Sequence, residues 1–193
     1  HAHQPSLELY VRVCGCSPYL SDLMITNPGM LDELLDSLQL VRHPALAELE
    51  RTWQELRRGG GPPLPKLQAL KASRHLQIGV RDGLQHEPIE TTHRALSDVA
   101  EVCLAAVAQH EYDRLVEKHG KPMIQEGPFA GEPCGGVILG LGKLGGQEPN
   151  YHSDLQIAFV YEADGSTQAA ERMKRGQSTT NDHFFTQLAQ RVL

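Results

Sequence analysis

Apolar residues recur at three- and four-residue steps over most of the first 120 positions, the period of helices that bury one face. Ser17-Pro18 and Asn27-Pro28 each place a capping residue before proline, the order of an N-cap and a first helical position, so each is expected to begin a helix. After the second pair, Leu31, Leu34, Leu35 and Leu38 share one face and Asp32, Glu33 and Asp36 turn outward. A third helix is expected over 45–58, with Leu46, Leu49, Trp53 and Leu56 as its stripe and Trp53 as core. Gly59-Gly60-Gly61-Pro62-Pro63 breaks it, through glycine entropy and proline's missing donor. Residues 66–81 are helical in period but basic. Lys66, Lys71, Arg74 and Arg81 form either a solvated face or an approach to phosphate. Thr91 or Thr92 is expected to cap the most clearly patterned helix, in which Leu96, Val99, Cys103 and Ala106 recur and which Gly120 and Pro122 end.

The pattern then changes. Residues 121–135, rich in glycine and proline, are expected to cross the surface to a sheet. The short apolar runs 137–141 and 155–161 read as strands, and 165–180 as a mobile polar loop. Asn181 is expected to cap a last helix whose apolar face is Phe184, Phe185, Leu188 and Val192. The class is therefore α+β, with a helical region over 1–120 and part of a mixed sheet with flanking helices over 121–193.

Composition narrows the classes. At 193 residues and 40% hydrophobic content, the chain can bury a real core. A formal charge of −6 and no Lys/Arg cluster speak against a nucleic-acid surface, which needs grouped cations. No apolar run approaches the ~18 residues of a spanning helix and no leader is evident, so neither membrane nor export is expected and the cytoplasm is the default. The four cysteines lack CxxC spacing and read as buried thiols. The ten histidines have no paired spacing, and none is given a metal role.

Chemistry concentrates in 137–162. Gly142-Lys143-Leu144-Gly145-Gly146 follows a strand; it has neither the P-loop order nor GxGxxG before a long helix, but glycines there would let backbone N–H groups approach phosphate, with Lys143 adding charge. Ser153 and Asp154 open the second strand. Residues two apart on a strand share a face, so Asp154 and position 156 would both address one metal ion; position 156 is Gln, a neutral and weaker magnesium ligand.

The run Leu139-Gly-Leu-Gly-Lys-Leu-Gly-Gly-Gln-Glu-Pro-Asn-Tyr-His-Ser-Asp-Leu resembles the signature of the glutamine synthetase adenylyltransferases, of the nucleotidyltransferase superfamily, a Gly-rich turn followed by Ser-Asp-x-Asp. Asn27-Pro-Gly-Met-Leu-Asp-Glu-Leu-Leu-Asp, the basic segment to Arg81-Asp82, Leu96-Ser97-Asp98 and Phe184-Phe185 resemble further segments in the same order. The resemblance implies a nucleotidyltransferase-like sheet over 121–193. It implies transfer of AMP from ATP to a tyrosine of glutamine synthetase, removal of that AMP by phosphorolysis, and a PII-type signalling partner. The wording around Asn150-Tyr-His-Ser-Asp-Leu is more similar to an AMP-attaching half. By the same resemblance Gly142, Lys143, Gly145 and Gly146 line the triphosphate, Ser153 supports the turn or a phosphate, and Asp154, with Gln156 beside it, holds magnesium in a two-metal arrangement. Gln156 stands where the family has its second aspartate, and the chain stops at Leu193, before the family's third carboxylate. A fragment or truncated relative with impaired catalysis is expected, with a non-catalytic binder of glutamine synthetase as the alternative.

Overall fold

Ser17 and Pro18 divide the first two helices. In the computed structural model, which describes residues 4–30, 42–85, 87–168 and 178–193, α1 is Gln4–Cys16 and α2 is Pro18–Thr26. Ser17 is extended, its Oγ accepts from the Leu20 N–H at 3.4 Å, and Pro18 takes the first helical position, as expected. Asn27 instead closes α2, its Nδ2 donating to the Leu23 carbonyl at 2.9 Å. The helix expected around Leu31–Leu38 lies outside the described residues.

Helix α3 (Leu46–Arg58) ends where Gly60 and Gly61 adopt φ values of 69° and 83°, which only glycine enters at little cost. Lys66 on α4 (Pro63–Gln85) donates to the carbonyls of Leu56 and Gly60, so one member of the basic stripe caps the preceding helix. Arg81, expected either on a solvated face or near phosphate, is buried and pairs with Glu87, which also bonds His43 Nε2 at 2.6 Å. Helix α5 (Ile89–His119) begins before the threonines expected to cap it. The Pro88 carbonyl accepts from the N–H groups of Thr91 and Thr92, and the buried Thr92 hydroxyl turns to Asp82.

The chain divides into two units, His1–Cys103 with Gln147–Ser153, and Leu104–Gly146 with Asp154–Leu193. In the first, Val13, Leu20, Met24, Met30, Leu76 and Val80 form one core cluster, while Leu49 and Trp53 of α3 and Leu67 and Leu70 of α4 are also buried. In the second, two antiparallel strand pairs occur among the described residues: β1 (Lys121–Ile124) with β4 (Gly165–Gln168), and β2 (Gly136–Leu141) with β3 (Gln156–Tyr161). The α+β class holds. Two expectations do not. The stretch 121–135 does not simply cross the surface, because Pro122 and Cys134 are fully buried and 121–124 is a strand; and 165–168 is a strand, not loop, because each residue pairs with β1. The rest of that expected loop, 169–177, lies outside the described residues.

One turn of helix, α6 (Gly142–Gly145), follows β2, and α7 (Asn181–Val192) ends the chain. Its cap is Thr180, whose Oγ1 accepts from the His183 N–H, and not Asn181. Asn181 is fully buried, its Nδ2 donating to the Met123 and Ala163 carbonyls at 3.0 Å each, and the demand of those two carbonyls explains why it does not cap. Phe184, Phe185 and Leu188 complete the core with Leu115, Ile124 and Cys134. Among the described residues no helix is long and apolar enough to cross a membrane.

Candidate functional site

The β2–β3 register sets the geometry of the glycine turn. Leu141 pairs with Gln156 and Gly140 with Ile157, so the ladder ends where α6 begins. Three glycines there have three reasons. Gly142 has φ 52°, and the Gln156 amide lies where its Cβ would stand; a Cβ on Gly145 would come within 2.5 Å of the Gly140 carbonyl oxygen; one on Gly140 would press on Leu144 at 3.1 Å. The turn closes with the Gly146 N–H donating to the Gly142 carbonyl at 2.9 Å. Lys143 is exposed beside it.

Asp154 and Gln156 are both exposed in the same unit. The expected strand start moves: β3 begins at Gln156 and not at Leu155, so Asp154 precedes the ladder and strand alternation does not fix its direction. Gln156 is thus brought onto the turn, and Asp154 follows from the chain two residues earlier. Ser153 belongs to the other unit. There Asn150 forms an Asx-type turn: its Oδ1 accepts from the His152 N–H and the Ser153 hydroxyl, each at 3.0 Å, and Ser153 Oγ accepts from the Asn150 N–H at 2.9 Å.

A polar aromatic cluster that sequence reasoning missed lies in the same helical unit. Tyr151 donates to Asp82 Oδ2 and Thr92 to Asp82 Oδ1, each at 3.2 Å. Tyr19 and His75 Nδ1 share a hydrogen bond of 2.6 Å, and the Tyr19 ring meets Tyr151 at 5.7 Å and His152, edge-on, at 4.8 Å. Burial, followed by the charges of Lys71 and His152, lowers His75 to about 4. Burial and then the Asp82 carboxylate raise the Tyr151 hydroxyl, which stays protonated. The available signal was Asp82 within the segment ending Arg81-Asp82 and Tyr151 within the glycine-turn run.

Magnesium binds oxygen ligands, often one or two carboxylates together with substrate phosphates and water. As donor types, the Asp154 carboxylate and the neutral Gln156 amide oxygen suit one such ion held largely by a nucleotide's own phosphates better than two ions. Among the described residues no three His, Cys, Asp or Glu side chains group as metal ligands.

A family model described as Glutamate-ammonia ligase adenylyltransferase matches residues 7–193. Several relatives carry the name bifunctional glutamine synthetase adenylyltransferase/adenylyl-removing enzyme. The Pseudomonas aeruginosa protein is 30% identical over 97% of this chain, and the Thioalkalivibrio sulfidiphilus protein is 30% identical over 96%. The Acinetobacter baylyi protein is 30% identical over 97%. The chain spans only 19%, 18% and 20% of the lengths of these three. With a family model covering nearly every residue, the chain belongs to the glutamate-ammonia ligase adenylyltransferase family.

Proposed function

We propose that this chain supplies the phosphate-binding turn and one magnesium-binding carboxylate of an enzyme that transfers AMP from ATP to a tyrosine of glutamine synthetase in the cytoplasm, under control of a PII-type protein. Residues 121–193 serve as the N-terminal portion of a nucleotidyltransferase-like domain. The observation that carries the reading is the seating of Gln156 on Gly142 at the end of the β2–β3 ladder, with Asp154 two residues before it.

Each residue then has a task. Gly142, Gly145 and Gly146 keep Cβ atoms out of the turn, so that phosphate oxygens can come close to backbone N–H groups. Lys143 places an exposed cation beside them. Ser153 holds the connection through Asn150. Asp154 binds the metal through its carboxylate, and Gln156 adds a neutral oxygen. Magnesium, when bound, neutralises phosphate charge and orients the α-phosphate for in-line attack.

Gln156 carries less charge than the aspartate of the family pattern, so slow transfer is expected. The same residue favours a second reading, a non-catalytic relative that binds glutamine synthetase. Attachment is preferred to phosphorolytic removal because the Asn150-Tyr-His-Ser-Asp-Leu run resembles an attaching half.

Calorimetric titration of the chain with ATP, with and without magnesium, tests the proposal. Magnesium-dependent binding should weaken about tenfold or more in Asp154→Ala, the loss of a charge-assisted contact. Absence of binding both in the chain and in Gln156→Asp would sink it. Capture of glutamine synthetase without AMP transfer would move the case to the second reading.

A further inference from the structure

A buried histidine, His75 of α4, sits where segment 147–153 meets the helices, and every group around it belongs to the helical unit. Three elements enclose it. From α2 comes the Tyr19 hydroxyl, 2.6 Å from His75 Nδ1. From the segment come the Tyr151 ring, edge-on at 6.1 Å, and His152, whose charge when protonated opposes one on His75; Lys71, one turn earlier on α4, acts in the same sense. The Cys103 thiol of α5, also near Lys71, is pushed by burial up to about 11 and brings no negative charge. The same cluster holds the segment. Tyr19 meets Tyr151 at 5.7 Å and His152 edge-on at 4.8 Å, while Tyr151 donates to Asp82, whose other oxygen accepts from Thr92 of α5.

A neutral ring suits this place and a charged one does not. Burial keeps the Tyr19 phenol protonated, so it has a proton to give; a neutral imidazole presents one bare nitrogen to take it, whereas imidazolium carries a proton on both. We propose that His75 works a proton-operated latch: its neutral ring, with Tyr19, Tyr151 and Asp82, keeps 147–153 seated on the helices, and protonation of the ring releases the segment. Linkage fixes the direction. Once the segment lifts, Tyr151 and His152 no longer cover the ring, which then binds a proton more readily than in the seated state, so acid favours release. Burial, then Lys71 and His152, hold the seated ring at about 4 against an ordinary 6.5. For one proton the opening constant therefore gains at most about tenfold per pH unit between these values. The latch needs only groups of the helical unit, and it holds whether or not the chain binds a nucleotide.

Amide hydrogen exchange of the 193-residue chain, followed by NMR from pH 6.5 to 5 with each rate divided by the intrinsic rate at that pH, tests the latch. The N–H groups of Asn150, His152 and Ser153 are the reporters, bonded within the segment to Ser153 Oγ, Asn150 Oδ1 and the Asn150 carbonyl. Their opening should grow close to tenfold per unit as pH falls, while amides of α4 and α5 stay closed. In His75→Gln, which stays polar but cannot charge, the growth should vanish. Segment opening that ignores pH would overturn the latch. Opening of α4 and α5 in step with the segment would overturn it too, because the ring would then charge only when the whole unit unfolds. Where His75→Gln fails to fold, the unaltered chain decides: its His75 ring protons should titrate well below pH 6.5, and a ring that titrates at 6.5 with the three amides still protected would refute the coupling.

Discussion

The side-chain amide of Gln156 fills the space in which a Cβ on Gly142 would stand. Gly142 also has φ 52°, so an alanine there meets both steric overlap and left-handed strain, the second costing about 1–2 kcal/mol. Gly142→Ala should lower the denaturation free energy by about 1–3 kcal/mol and abolish magnesium-dependent ATP binding. Adding Gln156→Ala should recover part of the stability but not the binding. A double variant no more stable than Gly142→Ala would show that the Gln156 contact carries no cost.

A similar contact inside α4 sets two effects against each other. Alanine normally gains about 1 kcal/mol over glycine within a helix. At Gly79, however, a Cβ would stand 2.5 and 2.8 Å from the two methyl carbons of the buried Leu20. Overpacking costs about 1–3 kcal/mol and should win, so Gly79→Ala is expected to lower the urea midpoint. A raised midpoint would mean that Leu20 moves aside freely.

Phe184 is fully buried, with Tyr112 edge-on at 5.5 Å and Phe185 at 5.4 Å. Truncation to alanine should cost about 3–5 kcal/mol, whereas Val137→Ala, at an exposed position on β2, should stay within about 0.5 kcal/mol. Thermal unfolding of the two variants side by side checks the contrast.

His75 makes stability depend on pH in one direction. Its folded value, about 4, lies below its ordinary 6.5. Between these values the unfolded chain binds a proton that the folded chain refuses, so stability falls as pH drops from about 6.5 towards 4, and this residue adds no further loss below that. The full contribution is about 3 kcal/mol. His75→Gln should flatten the slope of denaturation free energy over pH 4 to 6.5, and an unchanged slope would assign it to other groups.

Much of the helical unit was legible because its helices bury one face and show it as period. Ser17-Pro18 and the glycine break at 59–61 punctuated them as their chemistry requires. The glycine turn was legible too, since Gly142, Gly145 and Asp154 sit in one short run. Strands β1 and β4 were not: Lys-Pro-Met-Ile and Gly-Ser-Thr-Gln have four residues each and no alternation, and only their mutual pairing makes them strands. Asp82 and Tyr151 were hidden for another reason. They are 69 residues apart, and local periodicity says nothing of such partners.

The chain passes between its two units at 103/104, 146/147 and 153/154. A single genetic crossover therefore cannot exchange one unit intact for that of a relative. Any recombinant that takes the glycine turn and Asp154 together also takes the seven residues between them, which must then find an aspartate and a tyrosine suited to them on helices inherited from the other parent. Asp82, Tyr19 and Tyr151 should thus travel as a linked set, and chimaeras that separate them should lose stability in the helical unit even when every substituted segment comes from a folded relative.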